Sequence, residues 1–178
     1  MKDLIKTYVL GGSGAGKTTM LVNMEAQGLR IARNFTTRKR RDNEGLLEYY
    51  FVSDICAIEL KDLVYVNRYY QGYYGLTVDE FLKSDVIVAA PFAMVDILAW
   101  IVSECILRGI SIESVVEESR ILFIDAPMSV RVNRLGNRDG VNEMRRRLIS
   151  ESWTFDFELV KKVWSGAKFE YINSIENV

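Results

Sequence analysis

Short apolar runs punctuate the chain at residues 5–10, 86–90 and 121–124, each followed by a turn and then by apolar residues at helical spacing. Strand, turn and helix repeated in that order predict a parallel sheet with helices packed on it, because a parallel neighbour can be reached only through a crossover. After Pro91 the stretch FAMVDILAWIVSECILRG predicts one helix that Gly109 ends, and after Pro127 Ser129 is expected to cap a helix over VRVNRLGNR. Residues 110–120 carry no clear period. Between the first helix and Val86 the texture changes to short β-prone runs at 49–52 and 63–68 with many tyrosines, which reads as an inserted lobe. Thr77 and Glu80 have the spacing of a capping box, predicting a short helix that leads back to the core. Basic residues crowd positions 131–157 too densely for a buried element, suggesting a second insertion.

The turn after the first run decides what the fold is for. Gly11, Gly12, Ser13, Gly14, Ala15, Gly16, Lys17, Thr18 and Thr19 include the pattern G-x-x-x-x-G-K-[ST], a phosphate-binding loop. Glycines there let backbone N–H groups turn inward around phosphate oxygens, and the helix that starts near Lys17 points its positive end at the same anion. Lys17 would reach the β- and γ-phosphates of ATP, and the Thr18 hydroxyl would bind Mg²⁺. The other reading is a glycine-rich hairpin or linker that matches by accident, which the strand-then-helix context disfavours.

Composition narrows the chemistry. The 178 residues, 49% of them hydrophobic, suffice for one domain with a full core. The net charge of −1 gives no overall attraction to nucleic acid or membrane. The longest apolar stretch, 86–102, is broken by Pro91 and Asp96, and residues 1–6 lack a signal-peptide core, so a soluble, cytoplasmic protein is expected. Cys56 and Cys105 lack C-x-x-C spacing and are expected to be buried free thiols. With no histidine, catalysis must run on Lys, Arg, Asp, Glu and an oxygen-bound metal, an inventory that suits phosphoryl transfer.

The stretch RIARNFTTRKRRDNEG carries a dense basic cluster that could be a solvated face or an RNA contact. Its spacing, Thr36, Thr37, Arg38, Arg41 and Glu44 followed by Tyr49 and Phe51, resembles the guanylate kinase signature T-[ST]-R-x-x-[KR]-x-x-[DE], Gly, Y-x-[FY]. It departs in that Gly45 directly follows Glu44, which shortens the loop before Tyr49. The resemblance implies that Arg38, Arg41 and Tyr49 hold the acceptor phosphate, and planar guanidinium forks independently suit phosphate oxygens. YYQGYYGLT resembles the family's G-x-Y-Y-G-[TS], implying an acceptor-phosphate contact for Tyr74, with packing inside the lobe as the alternative; Leu76 stands where the family has Thr or Ser. VRVNRLGNRDGVNEMRRRL resembles the family's lid, and through it Arg134, Arg138 and Arg147 inherit catalytic roles beside Lys17 and Arg38. Arg131, Arg145 and Arg146 read as an exposed basic face. Asp125, ending ILFID, is a candidate magnesium carboxylate or a turn residue before Pro127. FEYIN, 169–173, resembles the family's last strand.

The resemblance implies an α/β fold of the P-loop NTPase type, a parallel sheet flanked by helices, as one domain over 1–178. Its core would comprise 1–33, 81–130 and 158–178, its acceptor lobe 34–80 and its helical lid 131–157. The implied activity is transfer of the γ-phosphoryl of ATP, with Mg²⁺, to GMP or dGMP, with no nucleic-acid or membrane partner. Against this, the family's two guanine-reading carboxylates are missing: Tyr65 falls at one position, and Ala89, Ala90 and Pro91 close the strand that should carry the other. Neither tyrosine nor alanine can accept from both guanine N1–H and N2–H as a carboxylate does. Asp42, Glu48 and Asp79 are candidate substitutes. Three readings stand: a nucleoside-monophosphate kinase for GMP or another (d)NMP, a non-catalytic guanylate-kinase-like interaction module, and a nucleic-acid binder using the patch at 30–41.

Overall fold

The computed structural model describes residues 1–40, 49–69, 72–154 and 156–174; Arg41, Asp42, Glu44, Gly45 and Glu48 lie outside them. The apolar runs form the predicted strands. β1 (Thr7–Leu10), β6 (Val86–Val88), β7 (Arg120–Asp125) and β8 (Lys168–Asn173) make a four-stranded sheet in the order β6-β1-β7-β8, with every pair parallel. Side-chain alternation splits each run between two cores. Tyr8, Leu10, Ile87, Ile121 and Phe123 face one cluster, and Val9, Val86, Val88, Leu122 and Ile124 face the other. α1 (Lys17–Ala26) covers the second face through Leu21. α3 (Ala93–Arg108) and α7 (Phe157–Val163) cover the first through Met94, Ile97, Ile101 and Val160. The fold is therefore α/β, a parallel sheet with helices on both faces.

A second sheet is inserted between α1 and β6. Its strands β2 (Asn34–Thr36), β3 (Tyr49–Phe51), β4 (Leu63–Tyr69) and β5 (Gly72–Thr77) lie in the order β3-β2-β5-β4, with β2–β3 parallel and the other pairs antiparallel. Val64, Tyr65 and Leu76 of this sheet belong to the same buried cluster as α3, so lobe and core share one apolar interior. Side-chain bonds reinforce that joint. Tyr65 donates its hydroxyl to Asn34 Oδ1 at 3.1 Å, and Asn34 Nδ2 donates to the Val88 carbonyl at 2.8 Å, linking β4 through β2 to β6.

Helix boundaries follow local chemistry in most places. α2 (Val78–Lys83) starts at Thr77, whose hydroxyl accepts from the Glu80 N–H at 3.4 Å. The Glu80 carboxylate turns instead to the Arg33 N–H at 3.1 Å, so only half of the predicted capping box closes. α3 ends at Gly109 in the left-handed conformation, φ 63°. The unassigned stretch contains α4 (Ile112–Glu118), capped by the Ser111 hydroxyl. Ser129 does not cap: α5 (Met128–Asp139) has already begun, with Pro127 at its N-cap. α6 (Val141–Thr154) follows across Gly140. Cys105 is buried as expected, whereas Cys56 is exposed, because it sits in a single 3-10 turn (Ile55–Ala57) whose residues are not buried.

Candidate active site

The candidate phosphate loop runs from the end of β1 to the start of α1, in the strand–loop–helix context that such chemistry requires. Two of its glycines are demanded by their surroundings. A Cβ on Gly11 would lie 2.4 Å from the Ile124 carbonyl oxygen of β7. Gly14 has φ 77°, and a Cβ there would lie 3.1 Å from the Arg131 carbonyl and 3.2 Å from Leu135, so the missing side chain lets α5 pack directly on the loop. Lys17 folds back over this backbone, its Nζ donating to the Gly11 carbonyl at 2.9 Å and to that of Gly12 at 3.1 Å. Gly12 and Ala15 are buried, and Thr18 and Thr19 are exposed at the first turn of α1.

Two arginines of α5 reach the loop. Arg134 donates from Nη1 to the Gly14 carbonyl and to the Ser174 hydroxyl, each at 3.2 Å. Arg131 donates from Nε to the Ser13 carbonyl at 2.9 Å and pairs through Nη2 with Glu151 of α6. The expectation that Arg131 belongs to an exposed basic face fails: its side chain is only 13% exposed, because α5 turns the 131–134–135 face onto the loop. The Glu151 carboxylate also accepts from the Ser13 N–H at 2.7 Å. Arg138 and Arg147 are engaged within the helical pair. Arg138 pairs with Asp139 at 2.9 Å, and Arg147 lies 3.4 Å from Asp139 and 3.2 Å from Glu143, tying α5 to α6. Arg146 pairs with Glu143, and Arg145 is exposed.

The inserted sheet brings a second group together. Arg38 is buried at 5% exposure, its guanidinium 5.2 Å from the Tyr49 ring centroid and 5.3 Å from that of Phe51. Nη1 donates to the Lys39 carbonyl at 3.0 Å. Tyr74 meets Tyr49 edge-on, with centroids 5.8 Å apart. Thr36 and Thr37 fix the chain here: the Thr36 hydroxyl accepts from the Arg38 N–H at 3.3 Å, and that of Thr37 from the Tyr73 N–H at 2.9 Å. The basic stretch is thus no uniform solvated face, since Arg38 turns inward while Lys39 and Arg40 are exposed and Arg30 pairs with Glu80 at 3.4 Å.

Tyr65 is a core residue, 7% exposed, and burial pushes its phenol well above the usual tyrosine range. Asp79 pairs with Lys83 on the outside of α2. A carboxylate that the sequence did not single out stands at the lobe–core joint: Asp96 of α3 accepts from Asn67 Nδ2 of β4 at 2.9 Å. The sequence marks it only as a charge that interrupts the apolar stretch 86–102, on a helix whose exposed side also carries Val95, Ile106 and Leu107.

Asp125 makes the contacts of a turn residue. Its Oδ1 accepts from the Ala126 N–H at 2.8 Å and its Oδ2 from the Tyr171 hydroxyl at 2.6 Å; that bond to the carboxylate raises the Tyr171 pKa. Among the described residues there is no group of three Asp, Glu, Cys or His side chains suited to a metal. An Mg²⁺ ion of the kind that rides on a nucleotide keeps phosphate and water ligands and would take from the protein the Thr18 hydroxyl and a carboxylate, for which Asp125 is the candidate.

No family model matches the sequence, and no curated protein matches it. Among solved structures, a crystal structure of guanylate kinase from Anaplasma phagocytophilum aligns at 16% identity and a TM-score of 0.49, covering 97% of this chain and 79% of that one. A likeness of that size bears on neither activity nor residue roles, which rest on the site's own geometry. Among the described residues no helix is long and apolar enough to cross a membrane.

Proposed function

We propose that this chain is a nucleoside-monophosphate kinase that transfers the γ-phosphoryl of ATP to an acceptor nucleotide, with GMP or dGMP as the first candidates, working in the cytoplasm. The observation that carries the reading is the phosphate loop itself, a glycine-lined turn between a buried parallel strand and a helix, with Lys17 lying on its carbonyls. The cluster of Arg38, Tyr49 and Tyr74 supports a second, acceptor phosphate, since a guanidinium packed against the Tyr49 and Phe51 rings, with Tyr74 edge-on to Tyr49, brings charge and hydroxyl donors together. Arg41 completes that cluster by resemblance alone.

In this reading the loop amides and Lys17 hold the donor phosphates, and Arg38 orients the attacking acceptor oxygen. Arg134 neutralises charge on the transferring group, and Arg138 and Arg147 join it on exchanging their present carboxylate partners for phosphate. Thr18, with Asp125 as the candidate carboxylate, would hold Mg²⁺, which would add charge neutralisation. The interior position of Tyr65 and the apolar end of β6 support an acceptor preference less strict than that of a site with two dedicated carboxylates, which leaves another (d)NMP as the alternative acceptor. A coupled assay of ADP release over GMP, dGMP, AMP, CMP, UMP and dTMP tests both parts. Turnover with at least one monophosphate is expected, and discrimination between GMP and the other bases below about 10⁴-fold. Absence of turnover with every acceptor would defeat the kinase reading.

A further inference from the structure

The Ser13 N–H belongs to the phosphate loop, and the group that takes it here is a carboxylate of the protein itself, Glu151 Oε1 at 2.7 Å. A carboxylate oxygen and a phosphate oxygen present the same charge and the same acceptor geometry to such a donor. The other Glu151 oxygen holds the Arg131 guanidinium, which is anchored through Nε to the Ser13 carbonyl at 2.9 Å. That guanidinium lies on Gly12, where an added Cβ would meet Nη2 at 2.3 Å. Both side chains are largely shielded, at 13% and 15% exposure, so the contact is stronger than a surface ion pair.

We propose that Glu151 is a built-in competitor for a phosphate position of the loop, and that nucleotide binding transfers the Ser13 N–H and Arg131 from that carboxylate to the phosphate. The inference rests on the phosphate-loop reading above. Two anions cannot share one N–H donor, and like charges within a few ångströms repel by an amount that grows as water is excluded. The incoming phosphate therefore displaces Glu151. Arg131 remains tethered to the Ser13 carbonyl with its Nη groups against Gly12, and becomes a phosphate ligand additional to Lys17 and Arg134. Because Glu151 sits near the end of α6, the exchange couples occupancy of the loop to the position of that helix.

The test is the dissociation constant for Mg·ADP and for inorganic pyrophosphate, measured calorimetrically on wild type, Glu151→Gln, Glu151→Asp and, as reference, Lys17→Ala. Gln keeps the shape and removes the charge. Asp keeps the charge for Arg131 but is one methylene too short to hold the Ser13 N–H as well, so it reads the same competition should the Gln variant fail to fold. Each substitution is expected to tighten both probes by about tenfold, the scale of one charge-assisted hydrogen bond in competition. Unchanged or weaker binding in the folded variants, with wild type binding normally and Lys17→Ala weakened, would overturn the competition and leave the phosphate loop standing. Wild type that binds neither probe, or Lys17→Ala that binds as well as wild type, would remove the phosphate-loop reading and this inference with it.

Discussion

Tyr65→Phe isolates one hydrogen bond that joins the inserted lobe to the core. The phenol, 7% exposed, donates to Asn34 Oδ1 at 3.1 Å, and Asn34, 5% exposed, passes the link to the Val88 carbonyl at 2.8 Å. Removing the hydroxyl keeps the ring's packing but leaves the Asn34 oxygen dry and without that donor. The net cost of such a loss is about 1–2 kcal/mol. In a domain of this size each kcal/mol lowers the melting temperature by roughly 2–4 °C, so a fall of about 2–8 °C is expected. Asn34→Ala removes both bonds and strands the Val88 carbonyl, so it should cost about 2–4 kcal/mol. Urea unfolding of the two single variants and the double variant measures the coupling. The double variant should fall short of the sum by about 1 kcal/mol, because the two changes share a bond. Under the proposed function a second arm follows: a residue that braces the joint and does not touch the base leaves the ratio of kcat/KM for GMP over AMP within about twofold. A stability change below about 0.3 kcal/mol, strict additivity, or a large change in base preference would each refute the bracing role.

Under the proposed function Lys17→Ala should lower phosphoryl transfer by on the order of 10²-fold or more, since it would remove a charge that holds the donor phosphates; single-turnover kinetics with near-normal rates would exclude the loop from the mechanism. Gly11→Ala should destabilise the protein by about 1–3 kcal/mol in urea unfolding, because a Cβ 2.4 Å from the Ile124 carbonyl must push β1 and β7 apart, and a neutral outcome would contradict that close approach. Burial raises the pKa of Tyr8 and Tyr65 in the folded chain, so the stability their neutral phenols contribute is complete below the unfolded value of about 10 and is lost as pH climbs through the folded values. In an ultraviolet titration these two phenols should stay protonated until alkaline unfolding, and reversible ionisation near pH 10 of every tyrosine in a folded protein would count against their burial.

Much of the fold is written in short-range pattern. The runs at 5–10, 86–90 and 121–124 alternate between two apolar faces, and only a parallel sheet covered on both sides buries both, so β1, β6 and β7 followed from sequence alone. The glycine-rich turn between β1 and α1 and the stop at Gly109 were legible for the same reason: each depends on backbone conformations that a few adjacent residues impose. The partners of the arginines were not legible in this way. Helical spacing puts Arg131, Arg134 and Arg138 near one side of α5, but which of them meets the loop depends on where α5 crosses Gly14, a distance set by packing across the whole sheet. Glu151, on a different helix, reaches Ser13 only because α6 folds back along α5. Tyr65 shows the same division within a strand. Counting residues placed it at a base-reading position, yet the irregularity between Leu63 and Tyr65 in the β4–β5 ladder resets the register, and register decides which side chains enter the core. Local sequence determines backbone shape through contacts a few residues apart, whereas the company each charged side chain keeps is decided by elements that meet only once the chain has folded.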